Sequence, residues 1–223
     1  MSSSGLDNKV QRGLFITLEG GEGSGKTTQI ATVKEYFQAA GYDVVCTREP
    51  GGTKIAERIR SILLTKEHEE DLCSISELLL MYASRAQLVN TLIKPMLEQG
   101  KIVISDRFDL STVAYQGAGR GFDLETISKL REIAIGNFKP DLTLLLDVDV
   151  KLGMERVLRR SARDRFEQEA EEFFTRIRQG FRDYAAKHTD EVYLIDGSSD
   201  EASVANAVRA ALDKKFAHLV KAK

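Results

Sequence analysis

Short apolar runs alternate along the chain with longer stretches of helical spacing. Leu14-Phe15-Ile16-Thr17-Leu18 lies between glycines and predicts a strand. Residues 26–40 predict a helix, ended by Gly41. A second strand is predicted over Asp43 to Thr47 and a turn at Glu49-Pro50-Gly51-Gly52. The helix predicted over 54–64 places Ile55, Ile59, Ile62 and Leu63 on one face. Residues 65–74 are charged and predict a loop. A long helical pattern follows from about Ile75 to Gln99. Pro95 inside it predicts a kink or break, because proline has no N–H and crowds the preceding turn. The remaining elements are strand-like Lys101 to Ser105, an amphipathic helix over 123–136 and an apolar strand at Leu142 to Leu146. After these come an Arg-rich helical stretch over 150–188, a short strand at Val192 to Ile195 and a last helix over 200–219.

This βαβ rhythm predicts a parallel, five-stranded sheet with helices on both faces, a three-layer α/β fold. Ile102-Val103-Ile104 and Leu142 to Leu146 are apolar without alternation, as strands buried on both faces require. Residues 1–12 read as a flexible polar tail and 13–223 as one domain. At 223 residues, one core can bury most of the apolar surface. A chain 42% hydrophobic and 30% charged is not disordered, collagen-like or a coiled-coil rod. With a formal charge of −2, bulk nucleic-acid binding is disfavoured and no nucleic-acid partner is expected. Two cysteines make no disulfide framework, and Cys46, in the run Val44-Val45-Cys46, is expected to be buried. The first residues, MSSSGLDNKVQRG, contain no secretory signal, and no apolar run is long enough to cross a bilayer. No membrane partner is expected, and a cytoplasmic location is.

One motif sets the chemistry. Gly20-Gly21-Glu22-Gly23-Ser24-Gly25-Lys26-Thr27 fits G-x-x-x-x-G-K-[ST] in full, between a predicted strand and a predicted helix. Glycines let backbone N–H groups converge on phosphate oxygens with no side chain in the way. Lys26 can reach the outer phosphates, Thr27 offers a hydroxyl to Mg²⁺, and the helix start adds its dipole. Average residue usage makes a chance match on the order of 1% per chain. The fold expected is therefore that of a P-loop NTPase. Ile102-Val103-Ile104-Ser105-Asp106-Arg107 is a strand ending in an acid, where such a fold needs a carboxylate near its metal. Arg107 beside it could clamp phosphate through its planar fork. Arg156, Arg159, Arg160, Arg163 and Arg165 cluster later in the chain. They could be a solvated helix face, paired with Glu155, Asp164 and Glu167, or a lid over about 156–168. Phosphoryl transfer needs cations and exclusion of water, which an Arg-rich lid would supply.

Taken together, Glu19-Gly20-x-x-Gly23-x-Gly25-Lys26, Thr47-Arg48-Glu49-Pro50-Gly51-Gly52-Thr53, Asp106-Arg107-Phe108 and Ala114-Tyr115-Gln116 resemble the thymidylate kinase family. The similarity runs from about residue 13 to the C-terminus and is closest to the bacterial type. That type has an acid in the P-loop, here Glu22, and a catalytic arginine in the lid. The resemblance implies transfer of phosphate from ATP·Mg²⁺ to dTMP, in dTTP synthesis, by a homodimer. It assigns ATP phosphates to Gly20 through Thr28, with Lys26 on the transferred group, Thr27 at the metal, and Asp106 as a catalytic residue that organises the metal or, through water, the attacking phosphate. Arg48, Arg60 and Arg107 would hold the dTMP phosphate, with Arg107 also catalytic. Glu22 would reach the 3′-hydroxyl, and Tyr115 would pack on the sugar. Arg85, Thr112 and Gln116 would bond the thymine edge. Arg160 aligns with the catalytic lid arginine, with Arg156 and Arg165 as supporting cations.

Two residues depart from the family pattern. Met81 stands where an aromatic ring usually stacks on the base; a thioether still contacts a ring favourably, but stacking is lost. Phe108 stands where tyrosine is common. On a helix, Met81 and Arg85 share a face at i, i+4 and could grip a flat base. They could equally be a core residue and a surface charge. Three other readings remain at this level: a kinase for another nucleotide or nucleoside, a P-loop ATPase or switch without an acceptor, and an inactive binding domain. The chain has no N-K-x-D string for reading guanine, and the P-loop, Asp106 and the arginines are intact.

Overall fold

The computed structural model describes residues 12–65, 70–159 and 170–220. Five parallel strands form one sheet: β1 (Phe15–Glu19), β2 (Val44–Arg48), β3 (Ile102–Asp106), β4 (Leu142–Asp147) and β5 (Val192–Asp196), in the order β2-β3-β1-β4-β5. Helices α1 (Lys26–Ala39), α2 (Lys54–Leu64), α3 (Ser74–Leu88), α4 (Lys94–Glu98), α5 (Asp109–Thr112), α6 (Leu124–Ile135), α7 (Val150–Leu158), α8 (Glu171–Lys187) and α9 (Glu201–Val220) occupy the connections.

The twofold period of the strands divides the core in two. Ile16, Leu18, Ile102, Ile104, Leu142, Leu144 and Leu146 pack with Val33 and Phe37 of α1 and Val208, Leu212 and Phe216 of α9. Intervening Phe15 and Val103 face the other way, onto Leu88, Val89, Ile93 and Leu97, while Leu145 meets Phe173, Ile177 and Phe181 of α8. Both faces of the central strands are covered, so their sequences need no polar alternation.

In five places the chain differs from its sequence pattern. Cys46 is exposed rather than buried, because β2 is an edge strand. On α2 the buried residues are Ala56 and Leu63, one heptad apart, so Ile55 and Ile62 turn outward to 53% and 45% exposure. Pro95 is accommodated without ending the long helix. The turn before it, Val89–Ile93, widens to a π-helix in which the Lys94 N–H reaches the Val89 carbonyl. The stretch over 150–188 is two described helices, α7 and α8, and residues 160–169 between them lie outside the described residues. Residues 109–119, for which the pattern gave no element, are α5 followed by a π-helical segment, Val113–Gly119.

Caps explain several boundaries. Thr53 Oγ1 accepts the Ala56 N–H at the start of α2, Asp123 accepts the Thr126 N–H at α6, and Asp149 accepts the Lys151 N–H at α7. Among the described residues, no helix is long and apolar enough to cross a membrane.

Candidate active site

Strand order brings distant motifs together. Arg48 and Leu18 both stand in register with Asp106, and Glu19 with Leu145. The loops after β1, β2 and β3 therefore leave the carboxyl edge side by side, the place where open parallel sheets bind ligands. A cleft of about 260 Å³ opens there. It is lined by Glu22 through Thr27, Arg48, Arg60, Met81, Arg85, Asp106, Arg107, Thr112, Tyr115 and Gln116, as well as Glu49, Pro50, Leu64, Phe108 and Ser111.

The phosphate end is built by the loop between β1 and α1. Gly23 has φ +66°, and a Cβ there would overlap the Gly153 carbonyl at the start of α7. Only glycine fits both the left-handed backbone and that contact. Lys26 Nζ folds over the loop and donates to Gly20 O (3.0 Å), Gly21 O (2.9 Å) and Ser24 Oγ (3.3 Å). Burial lowers its pKa to about 8, helped by the charge of Arg107 and opposed by Glu22, Asp106 and Glu19. The first N–H groups of α1 have no partner within the helix and add a positive end to the cleft.

A second cation is fixed beside the loop. Arg107 Nη2 donates to Glu22 Oε1 at 2.6 Å and Nη1 to Gly20 O at 2.9 Å. The Tyr115 hydroxyl donates to the same Glu22 oxygen at 2.6 Å. Burial pushes the Glu22 carboxyl up, but Arg107, Lys26 and Tyr115 together hold it below its ordinary range. Arg107 has φ +70°, a strained conformation for a non-glycine residue. Its surroundings hold it there: its N–H reaches Leu18 O, and Ser105 Oγ donates to its carbonyl. Buried Glu19 accepts the Phe108 N–H (2.8 Å) and the Ser111 hydroxyl (2.6 Å). Desolvation raises Glu19 to about 7 against those bonds and the charge of Arg107.

The far end of the cleft is organised by Arg85, which is 2% exposed and not the surface charge its spacing also allowed. Its Nε donates to Glu49 Oε2 (2.9 Å), Nη1 to Asp109 Oδ1 (3.0 Å), and Nη2 to Phe108 O (3.1 Å) and Thr112 Oγ1 (2.9 Å). Burial pushes Glu49 up to about 7 despite Arg85, and its Oε1 accepts no bond among the described residues. Met81 is half-buried, packed against the apolar cluster that contains Tyr115 and Leu110, and also reaches the cleft. Arg60 donates to Pro50 O (2.8 Å) and Arg48 to Glu57 (3.0 Å). Gln116 donates to buried Glu77 (2.9 Å).

Most residues singled out from the sequence meet in this cleft, but several do not. Gly20 and Gly21 line a smaller hollow beneath the loop, against β4 and α8, and Thr28 lines neither. Arg156 turns to the carbonyls of Gly197 (2.8 Å), Gly23 and Ser198 (both 3.3 Å), tying the P-loop apex to the loop after β5. Arg160, Arg163 and Arg165 lie outside the described residues, and Arg159 is exposed. Sequence reading quoted Glu19 and Glu49 within motifs without giving them a role, and missed Glu77, Asp109 and Ser111. The one cue for Glu77 is spacing: it lies four residues before Met81 and eight before Arg85, on the helical face those two share.

Thr27 and Asp106 both line the cleft, and a hydroxyl with a carboxylate is a hard-oxygen donor set. Among the described residues no group of three or more His, Cys, Asp or Glu could cage a metal. Two oxygen donors suit Mg²⁺, which uses few protein ligands and keeps water and substrate phosphate oxygens.

A phosphate-cradling loop leaving the central strand of such a sheet defines a P-loop nucleotide-binding protein, here with room for a second ligand beside the loop. A family model described as Thymidylate kinase matches residues 18–208. The chain is 45% identical to "Thymidylate kinase" of Teredinibacter turnerae, over 90% of this chain and 98% of the relative. It is 48% identical to that of Pseudomonas fluorescens, over 86% and 91%. The crystal structure of thymidylate kinase from Ehrlichia chaffeensis superposes with a TM-score of 0.71 at 39% identity, covering 90% of this chain and 99% of that one. The chain belongs to the thymidylate kinase family.

Proposed function

We propose that the protein transfers the γ-phosphoryl group of ATP to dTMP, giving dTDP and ADP, and so serves dTTP synthesis. The observation carrying this is the single cleft that joins a P-loop to a pocket lined by Arg48, Arg60, Met81, Arg85, Thr112 and Gln116. Family membership supports the same reading.

The residues divide the work. The loop from Gly20 to Thr28 holds the ATP phosphates, and Lys26 moves from the loop carbonyls to the transferred group. Arg48, Arg60 and Arg107 hold the dTMP phosphate in line. Its oxygen attacks the γ-phosphorus as the bond to the bridging oxygen breaks and ADP leaves. The acceptor phosphate is already anionic at neutral pH, so no general base is needed. Charge neutralisation and alignment do the catalysis. Thr27 and Asp106 would hold Mg²⁺, which supplies a further positive charge on the phosphate oxygens. Glu22 and Tyr115 are assigned to the sugar, and Arg85, Thr112 and Gln116 to the base. Arg160 is assigned as the catalytic lid arginine, with Arg156 and Arg165 in support. Residues 13–223 are read as one kinase domain acting in the cytoplasm. Exposed Ile55, Ile62, Ile75 and Leu79 on α2 and α3 are apolar surface that pairing into a homodimer would cover.

The test is ADP release with ATP·Mg²⁺ in the presence of dTMP, dUMP, CMP, AMP, thymidine or no acceptor. Fast ADP formation with dTMP, accompanied by dTDP, is expected. Equal ADP formation without an acceptor would make the protein an ATPase and remove the base-pocket assignments.

A further inference from the structure

Glu77 is 1% exposed on α3, behind the wall of the cleft rather than in it. A carboxylate can only accept hydrogen bonds. Its Oε1 takes the Gln116 amide Nε2–H at 2.9 Å and Arg120 Nε–H at 3.4 Å, and its Oε2 takes Arg120 Nη2–H at 3.4 Å. Arg120 is itself held over the Phe173 ring, 4.7 Å from the centroid, so the carboxylate sits in a fixed cradle.

This arrangement decides which way the Gln116 amide points. Turning it over would set its carbonyl oxygen against the Glu77 carboxylate, two acceptors with no proton between them in a buried site. Nε2 therefore faces Glu77, and Oε1 is left on the other side. Gln116 lines the cleft, and none of the bonds among the described residues ends on its Oε1. One helical turn earlier, Thr112 Oγ1 accepts from Arg85 Nη2 (2.9 Å), which leaves the Thr112 hydroxyl proton to donate elsewhere. The polar end of the pocket thus offers donors from Arg85 and Thr112 next to an acceptor from Gln116.

We infer that Glu77 is a positioning residue for base selectivity: it locks the Gln116 carbonyl toward the base, which selects a pyrimidine with a protonated ring nitrogen. Thymine and uracil present N3–H between two carbonyls and match an acceptor there. Cytosine presents a bare N3 beside an amino group and does not. The inference rests on the dTMP reading above. It accounts for discrimination that Met81, an apolar contact, cannot supply, because a mismatched buried polar pair costs far more than a mismatched methyl.

The experiment measures kcat/KM for dTMP and for dCMP with ATP·Mg²⁺ in four proteins: wild type, Glu77→Gln, Gln116→Leu and the double variant. A glutamine at 77 can face Gln116 with either its carbonyl or its amide, so the lock is lost while volume is kept. The dTMP:dCMP ratio should fall about tenfold in Glu77→Gln. In the Gln116→Leu background the same exchange should change the ratio less than twofold, because Glu77 acts through Gln116. An unchanged ratio in Glu77→Gln overturns the inference, as does an equal change in both backgrounds. Should Glu77→Gln fail to fold, Glu77→Asp is read the same way; it keeps the negative charge at the site but, one methylene shorter, draws the carboxylate back from Gln116. A Gln116→Leu protein with the wild-type ratio overturns the inference without any variant at 77. A wild-type chain inert toward dTMP would remove the functional reading itself, whereas an active chain with an unmoved ratio removes only the role of Glu77.

Discussion

Replacing Arg85 by methionine should test how the far end of the cleft is held together. Methionine keeps the unbranched stem and removes the guanidinium. Four contacts go with it, to Glu49, Asp109, Phe108 O and Thr112. Asp109 retains Arg131 (3.0 Å) and the Tyr82 hydroxyl (3.0 Å). Glu49, 5% exposed at its side chain, loses its cation. Breaking a buried pair from one side costs about 3–5 kcal/mol. For a chain of this size that is a drop in Tm of about 6–20 °C, at roughly 2–4 °C per kcal/mol. The loss should also depend on pH. Glu49 already sits at about 7, above its ordinary 4.5, so its ionisation weakens the wild-type fold as pH rises toward 7. Without Arg85 its pKa rises further, and the variant goes on losing stability where the wild type has levelled off. The gap between the two proteins should widen above pH 7 by up to about 1.4 kcal/mol per pH unit. Urea denaturation followed by circular dichroism at pH 6, 7 and 8.5 measures it. A difference below about 1 kcal/mol, or one that narrows between pH 7 and 8.5, would refute the account of Glu49 as a buried acid held by Arg85.

Other expectations follow from single contacts. Lys26→Met should lower kcat by about 10²–10³, through loss of a charge aimed at the transferred phosphoryl group, and leave the circular dichroism spectrum unchanged. Gly23→Ala puts a Cβ into the Gly153 carbonyl at a left-handed position; it should raise KM for ATP more than KM for dTMP, and equal effects on both would count against a local clash at the P-loop. Thr53→Ala removes the cap of α2 and should cost about 1 kcal/mol in urea denaturation.

Much was legible in the order of residues alone. The glycine loop, the Thr47 to Thr53 run and Asp106-Arg107 are contiguous, and what they do depends on backbone geometry within a few residues. Five strands and the principal helices could be read from apolar spacing, most clearly in the central strands, which are buried on both faces. The missed helix over 109–119 has a physical cause: it is a short α-turn running into a π-helix, so its side chains do not follow the 3.6-residue period. Cys46 was misread because its neighbours look like a core strand, while only the sheet order places β2 at the edge.

Burial of charge was the other thing that tertiary structure decided. Glu19, Glu49, Glu77 and Arg85 look like ordinary charged residues along the chain, yet each is below 9% exposed. Their partners lie 23 to 92 residues away, brought within hydrogen-bond distance by the crossovers between β1, β2 and β3. Local sequence determined which loop could cradle a phosphate, because that needs only consecutive N–H groups and no side chains. What the cleft beside it can recognise depends on desolvated groups fixing one another across the fold, and desolvation is a property of packing that no short stretch of sequence carries.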